Sequence, residues 1–233
     1  MPQIRGQGHF SSQGFGIHFG GIYKTQHMSD TIAHPFLPEQ HTGEATETAA
    51  HHVSADEDTA KTDFTAACNR LKDVNHWKDL AGTFSSAFQL TDLSGSEVDG
   101  VANAGLYIRI DIPGPGSIAG QGYDWVLIEK VEQATLNEHQ EICYIRARPT
   151  EHPLHKSEGV AHFLESEATS SFVITRNYDQ LTATVFGRNE VPNTHTDHVI
   201  DNVRNAIIGA SGALGVSKLQ WGALVKGLLN RTR

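Results

Sequence analysis

The segment TSSFVITRNYDQLTATVFGR, residues 169–188, decides the fold of this chain. Two runs rich in β-branched and aromatic residues, 169–176 and 181–188, flank the turn-forming stretch 177–180. Such residues favour strands, and a short polar connection between two of these runs is typical of a β-hairpin. The sequence therefore predicts two antiparallel strands joined by a tight turn.

The same strand pattern recurs upstream, in four further runs at residues 84–91, 107–112, 123–131 and 141–148. The second run, YIRIDI, alternates strictly, so its isoleucines face one side of a sheet while Tyr107, Arg109 and Asp111 face the other. A short strand at 160–164 is a further candidate. Most connections between the runs are short, which favours antiparallel pairing because parallel strands need long crossovers.

A helix precedes these strands. Ser54 and Glu57 have the spacing of a capping box, and behind them Phe64, Cys68 and Leu71 recur at helical intervals. This pattern predicts an amphipathic helix over residues 55–73, with these three side chains in the core.

A second, longer helix is predicted after Pro192, where the apolar residues return to helical spacing. Glycine weakens a helix by up to about 1 kcal/mol relative to alanine. Gly209, Gly212 and Gly215 therefore indicate a kink or a close-contact surface. We expect Trp221 in this helix, and Trp77 after the first, to pack into the core.

These elements predict an α+β fold, in which a curved antiparallel sheet of about six strands packs against an N-terminal helix and a long C-terminal helix. The element order resembles that of helix-grip domains, in which the sheet wraps around the last helix. This resemblance implies a cavity between the sheet and that helix. We expect a single domain over residues 55–233, with no strand ahead of its first helix.

The first 54 residues are predicted to be a disordered, low-complexity head. Residues 1–27 are rich in Gly, Gln, His and Phe, and an acidic, Thr-rich stretch follows. Between Asp30 and Asp63 the chain has one basic side chain besides histidine, Lys61. Such segments bury too little apolar surface to offset the entropy of ordering them. The change of composition at Met28 leads us to expect Met28 as the native start.

The composition excludes several classes of function. The net charge is −9 with histidine neutral, and the lysines and arginines are scattered, which argues against nucleic acid as a partner. No apolar run reaches the roughly 20 residues of a membrane span, and the N-terminus has no signal peptide pattern. Cys68 and Cys143 form neither a disulfide framework nor a CxxC pair. We therefore expect a cytoplasmic protein.

A ligand-binding face is predicted on two adjacent strands, where Tyr107, Arg109, Tyr123, Trp125 and Glu129 come together. Arg109 would bind a carboxylate or phosphate while the aromatic rings enclose an apolar body, a composition typical of ligand pockets. The alternative is a solvent-facing surface on which Arg109 and Glu129 form a cross-strand charge pair.

A metal site is the second candidate. His195 and His198 are three residues apart, with Asp201 one turn on, a spacing that suits zinc. Ordinary helix-cap chemistry is the alternative. Three further histidines are available to complete such a site: His152, His155 and His162.

Two other features, a glycine cluster and the end of the last predicted strand, are expected to have structural rather than ligand-binding roles. Gly114, Gly116, Gly120 and Gly122 resemble a phosphate-binding loop, but the following residues have a strand pattern, which favours a strand connection or a lid over a pocket. Arg188, Asn189 and Glu190 end the last predicted strand, where turn structure is expected, with an ion pair at the sheet rim or contact with a ligand as alternatives.

The leading functional hypothesis is a small-molecule binding protein for a partly apolar ligand, held between the sheet and the C-terminal helix. No nucleophile motif is present and no cofactor is expected. The alternatives are a metal-dependent hydrolase or lyase that uses the histidine cluster, and a structural or interaction protein. The small-residue helix also suits contacts between subunits of a homo-oligomer.

Overall fold

The computed structural model describes residues 32–82, 86–112, 117–194 and 213–230, apart from the side chains of Ser157 and 213–219. The strands are β1 (Glu44–Val53), β2 (Ala87–Thr91), β3 (Tyr107–Asp111), β4 (Asp124–Asn137), β5 (Gln140–Pro149), β6 (Thr169–Asn177) and β7 (Gln180–Glu190). The α-helices are α1 (Glu57–Lys72), α2 (Trp77–Ala81) and α3 (Ala213–Leu229).

The seven strands form one antiparallel sheet in the order β1-β7-β6-β5-β4-β3-β2. The helices pack on one face of this sheet, called the inner face below, and α3 contacts α1, α2, β1 and β7. The predicted α+β class is confirmed, and the order of the elements is that of a helix-grip domain. Within the described ranges, no helix is long and apolar enough to cross a membrane.

A strand does precede the first helix, so the boundary predicted at residue 55 is wrong. β1 pairs with β7 from Glu44 to Val53 and forms one edge of the sheet. Its side chains alternate between exposed and half-buried, because an edge strand buries little surface. Its sequence, EATETAAHHV, therefore lacks the hydrophobic alternation by which strands are recognised. The expected start at Met28 lies outside the described residues.

The first helix is three residues shorter than predicted, starting two residues later and ending one residue earlier, and its cap is different. Asp56 is the N-cap, and its Oδ1 accepts a hydrogen bond from the Thr59 N–H at 2.7 Å. Ser54 instead donates its hydroxyl hydrogen bond to Asp63 Oδ2 at 2.6 Å. The predicted apolar side of the helix is confirmed, since Phe64, Cys68 and Leu71 are all buried.

An aromatic cluster fills the space between the inner face and the helices. Trp77 lies 4.7 Å from Phe172 and 5.5 Å from Phe88, and Trp221 lies 5.2 Å from Phe172, measured between ring centres. The indole N–H of Trp77 donates to the Leu71 carbonyl at 3.0 Å. The predicted core positions of both tryptophans are confirmed, and this part of the interior is occupied by protein.

A glycine of the last helix does make a close contact, but it is Gly227 rather than one of the predicted Gly209, Gly212 and Gly215. A Cβ atom at Gly227 would lie 2.5 Å from the carbonyl oxygen of Leu80 in α2. A larger residue would push α3 away from α2. Gly209 and Gly212 lie outside the described residues, as does the part of the predicted helix before residue 213.

The other predicted strands are present at the expected positions, but their first and last residues differ from the prediction. β4 continues past Val131 to Asn137, where most of its side chains are exposed and the apolar pattern has stopped. The predicted hairpin turn is confirmed, and Tyr178 adopts a positive φ of 56° within it. Val160 and Leu164 form isolated bridges rather than a strand.

Candidate functional site

The inner face changes character at the end where β1 begins and β7 finishes. Near the helices it carries large buried apolar side chains such as Phe172 and Ile174. At this end the side chains are small or polar and most are partly exposed. We call this region the Glu190 corner and define it by Glu44, Thr46, Ser170, Gly187 and Glu190.

Asn189 shapes the backbone at this corner. Its φ of 55° is in the left-handed region, which asparagine tolerates better than most residues. Its side-chain oxygen accepts hydrogen bonds from the N–H groups of His41 and Thr42, at 2.8 and 3.1 Å. Its side-chain amide donates to the Glu39 carbonyl, and its backbone N–H donates to Gln40 Oε1. The segment before β1 is thereby fixed to the end of β7.

The same conformation produces a bulge that directs Glu190 inward. Thr46 pairs with Gly187, but Glu44 pairs with Glu190, so β7 uses one more residue than β1 between the two pairs. Gly187 and Glu190 therefore both lie on the inner face. A Cβ atom at Gly187 would collide with Glu190 Oε1 and Thr46 Oγ1, so the glycine leaves room for the carboxyl group.

The environment of Glu190 favours its neutral form. Burial raises the pKa of this carboxyl, and the neighbouring charge of Glu44 raises it further, while the Thr46 hydrogen bond and Arg188 lower it. Its Oε2 atom is buried and has no hydrogen-bond partner within the described part of the chain. A carboxyl group can accept a hydrogen bond from a bound molecule, and it can also donate one when it is protonated.

This raised pKa predicts a pH-dependent stability. Between pH 4.5, the ordinary value, and the higher pKa of Glu190 in the folded state, the folded protein binds more protons than the unfolded protein. Stability should therefore fall as the pH rises through this window. Glu190→Gln should remove that slope, measured as urea unfolding midpoints across the pH range. The exposed Glu138→Gln is the control, and an equal loss of slope in both variants would contradict the prediction.

The residues of the predicted ligand-binding face do not lie between the sheet and α3. Tyr107 and Trp125 project from the outer face, opposite to Ile108, which packs toward the helices. The guanidinium of Arg109 lies 4.7 Å from the centre of the Tyr123 ring and 2.7 Å from Glu97 Oε1. The predicted location is thus wrong, because the alternation of YIRIDI leaves open which face the helices cover.

Glu129 belongs to a separate group on this outer face. Its carboxylate pairs with Arg146 at 3.0 Å and with Arg148 at 2.5 Å. The alternative charge pair between Arg109 and Glu129 is therefore absent from the described contacts. Trp125 donates its indole N–H to the Gly120 carbonyl and packs against His152. A ligand-binding role for these residues stays a prediction.

The loop that packs over Trp125 contains three of the histidines considered for the metal site, namely His152, His155 and His162. The ring centres of His152 and His155 are 4.8 Å apart, and both His152 and His162 accept a backbone hydrogen bond at Nδ1. No group of three potential ligands could hold a metal ion within the ranges that the structure describes. The other members of the predicted site, His195, His198 and Asp201, lie outside those ranges, as do Gly114 and Gly116.

The chain matches no family model and no curated protein. Solved structures similar to it include norcoclaurine synthase from Thalictrum flavum in complex with dopamine and hydroxybenzaldehyde, at 14% identity and a TM-score of 0.34, covering 84% of this chain and 99% of that one. Ara h 8.0201 is similar at 13% identity and a TM-score of 0.29, covering 78% and 99%. The architecture described here rests on the strand order and helix positions of this chain.

Sequence reasoning found part of the Glu190 corner. The sequence predicts turn structure at Arg188, Asn189 and Glu190, with a ligand contact as an alternative, but these residues belong to β7 and Asn189 forms a bulge within the strand. Thr46 was missed because β1 was not recognised. Gly187 was missed because a glycine inside a strand pattern has no distinctive neighbours, although such a glycine often marks close approach of another group.

Proposed function

We propose that this protein binds a small, partly apolar molecule at the Glu190 corner, between the sheet and α3. The observation that carries the proposal is a buried carboxyl oxygen of Glu190 without a described partner, above a glycine, at the partly exposed end of the inner face. Ligand pockets are typically mostly apolar, with a few polar groups that orient the ligand.

The contrast along the inner face supports this location. The space next to α2 is occupied by four aromatic side chains in mutual contact: Trp77, Phe88, Phe172 and Trp221. Ser170 is half-buried beside Gly187 and belongs to the same row of the sheet. The side chains of Thr46, Ser170 and Gly187 are all smaller than those of the aromatic cluster.

The chemistry of Glu190 narrows the class of ligand. Leaving a buried carboxyl oxygen without a partner costs free energy, which a ligand hydrogen bond would recover. We infer a ligand with an apolar body and one N–H or O–H group directed at Glu190. Two buried free cysteines support the expected cytoplasmic location as part of the same proposal.

The proposal is tested with N-phenyl-1-naphthylamine, an apolar dye with one N–H group that brightens in apolar surroundings. We expect saturable binding of one dye per chain. Ser170→Phe should fill the corner and weaken binding at least tenfold, equivalent to about 1.4 kcal/mol. Glu190→Leu should weaken binding severalfold, because leucine has no oxygen to accept the hydrogen bond from the dye N–H. Titrations followed by fluorescence give the dissociation constants.

Arg109→Ala is the matched control, since Arg109 lies on the outer face. Its binding should stay within twofold of the original protein. Circular dichroism and thermal unfolding of each variant verify that the fold is intact. Weak binding by Arg109→Ala with normal binding by Ser170→Phe would assign the ligand to the outer-face residues instead, and no binding by the unmodified protein would contradict both sites.

A further inference from the structure

The two cysteines, which are far apart in sequence, meet in the core. Cys68 lies on α1 and Cys143 on β5, and the exposed fractions of the two residues are 1% and 0%. Both are free thiols, both belong to the same buried apolar cluster, and each thiol shifts the pKa of the other. No other cysteine is present in the chain.

We propose that Cys68 and Cys143 form a redox modification site that closes an intramolecular disulfide on exposure to a hydroperoxide. One thiol attacks the peroxide O–O bond and gives a sulfenic acid and one water. The second thiol then displaces the sulfenic hydroxyl, which leaves with that thiol's proton as a second water. Two thiols are oxidised and one hydrogen peroxide is reduced to two waters.

The position of the pair supports direct closure rather than further oxidation. A sulfenic acid is trapped as a disulfide when a second thiol is already in contact with it. Both sulfurs lie inside the apolar cluster formed by α1 and the inner face, so peroxide and reductant reach them only during transient opening of the core. Burial also raises the pKa of the Cys68 thiol, so the reaction should be slow.

The consequence of closure is a covalent link between α1 and a central strand. The bond would join two points that are 75 residues apart, from 68 to 143. A loop of this length strongly restricts the unfolded chain, so oxidation should stabilise the fold. Cys68 lies in the C-terminal half of α1, away from its capped start, and closure of the disulfide does not depend on ligand binding.

The test uses the full-length reduced protein incubated with millimolar hydrogen peroxide. We expect the intact mass to fall by two hydrogens, and a non-reducing peptide map to contain Cys68 joined to Cys143. The thermal unfolding midpoint should rise by about 5 °C or more and return on treatment with dithiothreitol. Cys68→Ala and Cys143→Ala should each show no such mass loss and no rise.

Three results would overturn the inference. They are an unchanged mass after prolonged incubation, addition of oxygen to the cysteines without a cross-link, and a disulfide formed between two chains. The peptide map of the unmodified protein decides among them even if an alanine variant fails to fold. Dye binding is measured separately, so a negative result for the disulfide can be distinguished from a negative result for ligand binding at the Glu190 corner.

Discussion

Trp77→Ala is expected to lower the free energy of unfolding by about 4 kcal/mol, which is in the range found when a buried tryptophan is truncated. Trp77 is fully buried at the first turn of α2 and contacts both Phe88 and Phe172. Its removal leaves a cavity where β2, β6 and α2 meet. It also leaves the Leu71 carbonyl without its indole donor.

Urea unfolding at neutral pH, followed by circular dichroism, measures this loss. Trp77→Phe keeps an aromatic ring in the site but not the N–H donor, so its loss should be clearly smaller. Tyr178→Ala removes a half-exposed ring from a hairpin turn and is the control. A loss below about 1.5 kcal/mol for Trp77→Ala would mean that the cluster does not hold the helices on the sheet.

Arg176→Met is expected to have the second largest effect, a loss of about 3 kcal/mol. Arg176 is 1% exposed, and its guanidinium pairs with Glu57 at 3.0 Å and with Glu141. It also donates to the backbone carbonyls of Tyr178 and Glu138. One side chain thus joins the start of α1 to the β4–β5 and β6–β7 turns, and its loss leaves two carboxylates without their shared cation.

The free energy of unfolding that Arg176→Met loses should depend on pH. Hydrogen bonds from His139 and then from Arg176 lower the pKa of Glu57 below 4.5 in the folded protein. Such a group stabilises the fold above pH 4.5, and this contribution disappears as the pH falls through the lowered pKa. The difference between Arg176→Met and the original protein should therefore narrow in acid.

Urea titrations at neutral pH and near pH 3 check both parts of this prediction. Lys130→Met removes the exposed pair with Glu132 and should change stability little at either pH. An Arg176→Met loss that matches the Lys130→Met loss, or one that grows in acid, would contradict the proposed role of the buried cation.

The sequence determined the parts of the fold that depend on local periodicity. The positions of Phe64, Cys68 and Leu71 on one side of α1 follow from the helical repeat. The separation of Tyr107 and Arg109 from Ile108 follows from the strand repeat, and the β6–β7 hairpin follows from two strand runs with a short turn. These patterns can be recognised from the sequence because they depend only on residues that are close together in the chain.

Tertiary structure alone decided what depends on distant residues. β1 is a strand because β7 pairs with it, although its own side chains are mostly polar. Asn189 holds a segment about 150 residues earlier, and this contact directs Glu190 inward. The helices cover the face of Ile108 rather than that of Arg109. Periodicity assigns residues to faces, but only the assembled packing decides which face is buried by which partner.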